Sequence, residues 1–104
     1  MKRFTDKQML IMAIEYITNF RSSMRTLGKK YGVSCSTMHR YLHRACKLSK
    51  GIGKYVGIKI SYQKALFRSY YKNYEFLKMV YATKVLKPRL LKRLMSIDRA
   101  LKNA

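Results

Sequence analysis

The sequence predicts an all-α protein, an N-terminal three-helix unit followed by a basic helical extension, and three observations predict it. Apolar residues recur at helical spacing in two separate stretches: Leu10, Ala13, Ile14 and Ile17 near one end, Leu90, Leu94, Ile97 and Leu101 near the other. Between Gly28 and Ser34 the chain sets a small residue, a turn glycine (Gly32), an apolar plug (Val33) and a capping serine in the order of a helix-turn-helix. Only residues 54–60 could form a strand, and no second strand is visible to pair with them. The chain accordingly divides into a helix-turn-helix unit at 1–48, a Gly-containing basic linker at 49–60 and a basic helical extension at 61–104.

The first helix opens on a capping-box pattern, Thr5-x-x-Gln8, with Asp6 placing negative charge in the first turn. Met9 and Tyr16 widen its apolar stripe, and it is expected to end near Asn19 or Phe20. Ser22 or Ser23 caps the second helix, where Met24, Leu27 and Tyr31 face inward. Gly28 inside that helix costs about 1 kcal/mol relative to alanine, which close approach of the two helices would offset. Gly32 closes it in the left-handed conformation that glycine adopts without steric penalty. Ser34 then caps a third helix over residues 35–47. From Ser49, three glycines between Gly51 and Gly57 read as a loop or a short extended segment, with Lys50, Lys54 and Lys59 near the backbone of a bound polyanion. Tyr62 to Leu86 reads as one or two helices, with Leu66, Tyr70, Tyr74, Leu77 and Tyr81 in one stripe. Tyrosines so placed bury their rings and keep the hydroxyl at the surface. Pro88 stops that helix or starts the last one.

Lysine and arginine total 24 against four acids, Asp6, Glu15, Glu75 and Asp98, for a formal net charge of +20. Such an excess opposes compaction unless a polyanion neutralises it, which makes nucleic acid the leading partner and an anionic membrane the runner-up. A hydrophobic content of 48% is too high for a disordered basic tail, so the chain should fold. No apolar run is long enough to span a bilayer, and the N-terminus lacks the order of a signal peptide. The expectation is a cytoplasmic protein, of a bacterial nucleoid or of a phage-infected cell or virion, with no membrane partner. Four scattered acids offer no paired carboxylates, and neither a nucleophile–base pair nor a phosphate-binding glycine loop is visible. Catalysis, a cofactor and a small-molecule substrate are therefore not expected.

Projected at about 100° per residue, residues 35–47 separate into two faces. Met38, Leu42 and Ala45 share one, with Tyr41 at its edge, while Ser36, His39, Arg40, His43, Arg44 and Lys47 occupy the other. The apolar face suits packing on the preceding helices and the polar face suits the DNA major groove. Ser36, His39, Arg40 and His43 then point at base edges, with Arg40 the candidate for a bidentate guanine contact. Ser34 and Thr37 hold phosphates near the helix N-terminus, helped by Arg25, Lys29, Lys30, Arg44 and Lys47. A further cationic ridge, Lys64, Arg68 and Lys72, runs at i, i+4 spacing. Cys35, His39, His43 and Cys46 share the third helix, but 35 and 46 lie about 16 Å apart along its axis. One metal ion cannot collect all four, nor can a disulfide join the cysteines. Cys46 is expected as a small core residue.

The run LGKKYGVSCSTMHRYL resembles the helix-turn-helix of the stage III sporulation protein D family, small bacterial transcription regulators. Gly32, Val33, Ser34, Ser36, Thr37, Met38, His39, Arg40 and Leu42 carry the closest part. Tyr70, Lys72, Leu77 and Ala82-Thr83-Lys84 give a weaker echo of the family's later helix. The resemblance implies sequence-specific binding of double-stranded DNA, with basic C-terminal residues reaching the adjacent DNA. Two departures stand out: the glycine-containing linker looks like an insertion, and Lys78, Met79 and Val80 occupy the place of an arginine-glycine-glycine run. RNA polymerase, and a second copy held through the last helix, are the candidate protein partners. Two other functions fit the same charge: an architectural or packaging protein that binds DNA without sequence preference, and an RNA-binding protein using the tyrosine-rich helix.

Overall fold

Thr5 caps the first helix as its sequence requires. Its hydroxyl accepts from the Gln8 amide at 3.2 Å, and the Gln8 side chain accepts from the Thr5 amide at 2.8 Å. The computed structural model describes residues 4–68 and 74–103, with 66–68 described through the backbone, and there every regular element is helical. In order these are α1 (Asp6–Thr18), α2 (Met24–Tyr31), α3 (Cys35–Leu48), α4 (Lys50–Arg68), α5 (Tyr74–Val80), a π-helical turn (Tyr81–Val85) and α6 (Pro88–Asn103). None of them is long and apolar enough to cross a membrane.

Four helices, α2, α3, α4 and α6, pack against α1, which buries Met12, Ala13, Ile14, Tyr16 and Ile17. The expected stripe is thereby widened and turned: Leu10 is only half-buried, while Met12 and Tyr16 are wholly enclosed. The cause is α4, which covers the Tyr16 side and whose Gln63 accepts a hydrogen bond from the Tyr16 hydroxyl at 2.5 Å.

The presence of α4 corrects the reading of residues 49–60 as a linker with a possible strand. Ser49 ends α3 by donating its amide to the Ala45 carbonyl at 3.0 Å. It also starts α4, its carbonyl accepting from the Gly53 amide at 2.9 Å and its hydroxyl from the Ile52 amide at 3.3 Å. The glycines that suggested a loop have separate roles. Gly53 lies against α3, where a Cβ would sit 3.0 Å from the Cys46 Cβ and 3.1 Å from its Cα and carbonyl oxygen. A Cβ at Gly51 or Gly57 would meet nothing within 4 Å. Burial of Ile52 and Val56, one turn apart, holds this stretch helical despite its weak intrinsic propensity.

Lys59 is a second correction, for it is fully buried rather than turned toward a polyanion. Its ammonium donates to the carbonyls of Tyr16 (2.5 Å), Asn19 (2.7 Å) and Ser22 (3.0 Å), and lies 4.0 Å from the centre of the Tyr16 ring. The last carbonyls of a helix have no partner within it, and those of α1 are enclosed. A lysine from α4 supplies hydrogens there, beside the Ser22 hydroxyl, which donates to the Tyr16 and Asn19 carbonyls at 3.2 and 2.8 Å. Gln63 adds a bond to the Ser22 carbonyl at 2.7 Å. Burial lowers the Lys59 pKa to about 7. The three carbonyls act the other way, since only the ammonium form has a hydrogen for each.

Tyr81 closes the same region, donating its hydroxyl to the Ile17 carbonyl at 2.5 Å with Phe20 and Tyr62 at ring-centre distances of 5.3 and 5.2 Å. Its hydroxyl is therefore buried, against the expectation for this stretch, while Tyr70 and Lys72 lie outside the described residues. Pro88 starts α6, a position where its missing amide hydrogen is not needed. Leu94 is buried there and Leu90, Ile97 and Leu101 pack on the same core. This apolar stripe is used within the chain, on α1, rather than left open for a second copy.

Replacing Gly57 by alanine is expected to raise the Tm by about 4–8 °C, the counterpart of roughly 1 kcal/mol. Gly53→Ala should lower it, because the new methyl group meets the backbone of α3; melts followed by circular dichroism decide both. Lys59→Met keeps the bulk but removes a charge-assisted hydrogen bond from each of three buried carbonyls, and urea unfolding should show a loss of about 3 kcal/mol. Unchanged stability would show that the carboxyl end of α1 does not depend on this ammonium.

Candidate nucleic-acid interface

Three residues, Gly32, Val33 and Ser34, separate α2 from α3. Gly32 adopts φ 72° and ψ 32°, and its amide donates back to the Gly28 and Lys29 carbonyls. The Val33 amide also donates to the Gly28 carbonyl, at 2.8 Å, so the end of α2 is bonded by the turn itself. Gly28 serves this turn rather than a helix–helix contact: a Cβ there would lie 2.7 Å from the Val33 carbonyl oxygen. Ser34 caps α3, its hydroxyl accepting from the Thr37 amide at 3.1 Å. Ser23, not Ser22, caps α2, while Ser22 is buried and donates to the Asn19 carbonyl at 2.8 Å.

The two faces of α3 separate as its periodicity predicts. Met38, Leu42 and Ala45 are buried, and Ser36, His39, Arg40, His43, Arg44 and Lys47 are exposed. Arg25 and Lys29 are exposed on α2. Cys46 is half-buried beside Gly53, and burial raises its thiol pKa; Cys35 is exposed at the start of α3.

Several residues expected to hold phosphates are engaged within the chain. Lys30 pairs with Glu15 of α1, and the other carboxylate oxygen accepts from the Tyr31 hydroxyl at 2.8 Å. Burial, and then this carboxylate, hold the Tyr31 phenol above its ordinary pKa. Arg44 lies 3.6 Å from Asp6 in an exposed pair of little energetic weight. The Ser34 and Thr37 hydroxyls bond each other at 2.8 Å, and Arg40 Nη2 stands 3.5 Å from Thr37 Oγ1. The Ser34 hydroxyl thus serves the cap, and the Thr37 hydroxyl is its partner. Of the further ridge, Lys64 is exposed on α4, Arg68 is described through its backbone, and Lys72 lies outside the described residues.

Folding also joins two acids that the sequence scatters. Glu15 and Asp98 line one groove of about 370 Å³ between α1 and α6, floored by Ile11, Ile14 and Leu91. Each already carries a lysine, Lys30 on Glu15 and Lys102 on Asp98 at 2.9 Å. Nothing in the linear sequence signals this meeting, which depends on α6 docking on α1.

No family model, no curated protein and no solved structure matches this chain. Function is therefore read from its own residues.

Gly28→Ala drives a methyl group onto the Val33 carbonyl oxygen and should destabilise the protein by about 1–3 kcal/mol in urea unfolding. A neutral effect would mean that the α2–α3 turn has room to shift.

Proposed function

We propose that the chain is a sequence-specific double-stranded DNA-binding protein, a transcriptional regulator that lays α3 in the major groove as a helix-turn-helix does. The observation that carries this reading is the division of α3: one face is buried in the core, and the other presents only hydrogen-bonding and cationic groups to solvent. The major groove admits an α-helix and displays a distinct donor–acceptor pattern for each base pair. Ser36 and Arg40, and likewise His39 and His43, stand one turn apart on the exposed face and are the base-reading set. Arg25, Lys29 and Lys47 supply sequence-independent attraction to phosphates. The resemblance of residues 27–42 to the stage III sporulation protein D family supports the same assignment. On this reading the protein works by binding, without catalysis or a cofactor, in the cytoplasm of a bacterium or a phage-infected cell. RNA polymerase is then the natural protein partner.

The exposed cations on α4 and α6, in addition to those on α3, favour a second reading: a packaging protein that grips DNA of any sequence. Selection of bound sequences from a random duplex pool at about 150 mM salt separates the two, because purely electrostatic binding weakens there. Enrichment of a defined site of several base pairs establishes the regulator. Tight, salt-sensitive retention without enrichment establishes the packaging protein.

On the selected site, Arg40→Ala should relax one base position at a cost of about 1–3 kcal/mol. Lys47→Ala should weaken all sequences alike and reduce the slope of log affinity against log salt by about 0.9. Equal losses on cognate and scrambled duplexes for Arg40→Ala would take that residue out of the base-reading set.

A further inference from the structure

α6 has its own cationic face. Arg89, Lys92, Ser96, Arg99 and Asn103 are all exposed and follow at intervals of three or four residues, which places them in one narrow band along the helix. Leu90, Leu94, Ile97 and Leu101 on the other side anchor the helix in the core. No acid interrupts the band, because Asp98 points into the α1–α6 groove and bonds Lys102 there. Among the described residues Arg89, Lys92 and Arg99 have no ion pair. Arg93 stands at the border, lining the cleft toward Ser49 and Gly51 at the start of α4.

α6 packs on α1 beside the groove lined by Ile11, Ile14, Glu15 and Thr18, whereas Asp6 is the α1 residue that reaches Arg44 of α3. Those two directions differ by about 130° around the α1 axis. On that projection a straight duplex lying on α3 would leave the α6 band on another flank, with its charge uncompensated.

We propose that the α6 band (Arg89, Lys92, Arg99) is a second DNA-binding face, which takes the phosphate backbone of a second duplex, so that one protein molecule bridges two DNA segments. The inference rests on α3 as the seat of the first duplex. The occupant is chosen by charge complementarity: a row of cations on one helix that carries no aromatic side chain fits a phosphate backbone.

The test uses the whole chain, a duplex fixed on beads and a fluorescent duplex of unrelated sequence in solution, at about 150 mM salt. The wild-type protein should carry the fluorescent duplex to the beads. The exposed triple variant R89Q/K92Q/R99Q should carry about tenfold less, while its helical circular dichroism stays unchanged and its affinity for a single duplex moves less than about twofold. Three results overturn the proposal: no capture by the wild type, equal capture by the variant, or a loss of single-duplex affinity with the salt slope reduced by about 2.7. The last would put the band on the same duplex as α3. The double variant R40A/H43A keeps the two readings apart. Loss of base preference with capture of the unrelated duplex retained supports both, whereas intact base preference defeats the α3 reading whatever the capture shows.

Discussion

The carboxyl end of α1 is enclosed, and its carbonyls take their hydrogens from distant parts of the chain: Lys59 and Tyr81 for Tyr16, Ile17 and Asn19. A helix end left without partners in such a place carries a desolvation cost for each carbonyl. α4 and the π-helical turn after α5 must therefore stand where they do for α1 to be a core helix at all. Lys59 is both the donor and the filler of that space, its charge lying over the Tyr16 ring and its hydrogens spread over the chain leading from α1 to α2. The Ser22 carbonyl, bonded by both Lys59 and Gln63, ties the approach to α2 into the same cluster.

With α1 so held, α3 is pinned at each end by a glycine. Gly28 lets the turn backbone at Val33 and Ser34 settle against α2 just before α3 begins, and Gly53 lets α4 meet Cys46 near its end. Between these contacts Met38, Leu42 and Ala45 fill the core, and the opposite side is exposed, with Arg44 beside Asp6 of α1. In the proposed function it is this exposed polar face that enters the groove.

Charge follows the same division. Three of the four acids are turned to neighbours on other helices or on their own, Asp6 to Arg44, Glu15 to Lys30 and Tyr31, Asp98 to Lys102. The exposed surfaces of α3 and α6 are consequently left almost purely cationic, and a net charge of +20 on this frame repels itself. The groove in which Glu15 and Asp98 meet belongs to the interior bonding of α1, α2 and α6.

The sequence by itself determined the features that rest on residues a few positions apart. The Thr5–Gln8 cap, the left-handed Gly32, the Ser34 cap and the two-faced α3 were legible because each is decided by neighbours within a turn or two. Tertiary structure decided the rest. Residues 50–68 form a helix because burial of Ile52 and Val56 outweighs three glycines, which local propensity alone reads as a loop. Lys59 became a core residue through partners 37 to 43 positions away, and Glu15 met Asp98 only through the docking of α6. Such contacts depend on which helices come to lie side by side, and no pattern along the chain encodes that.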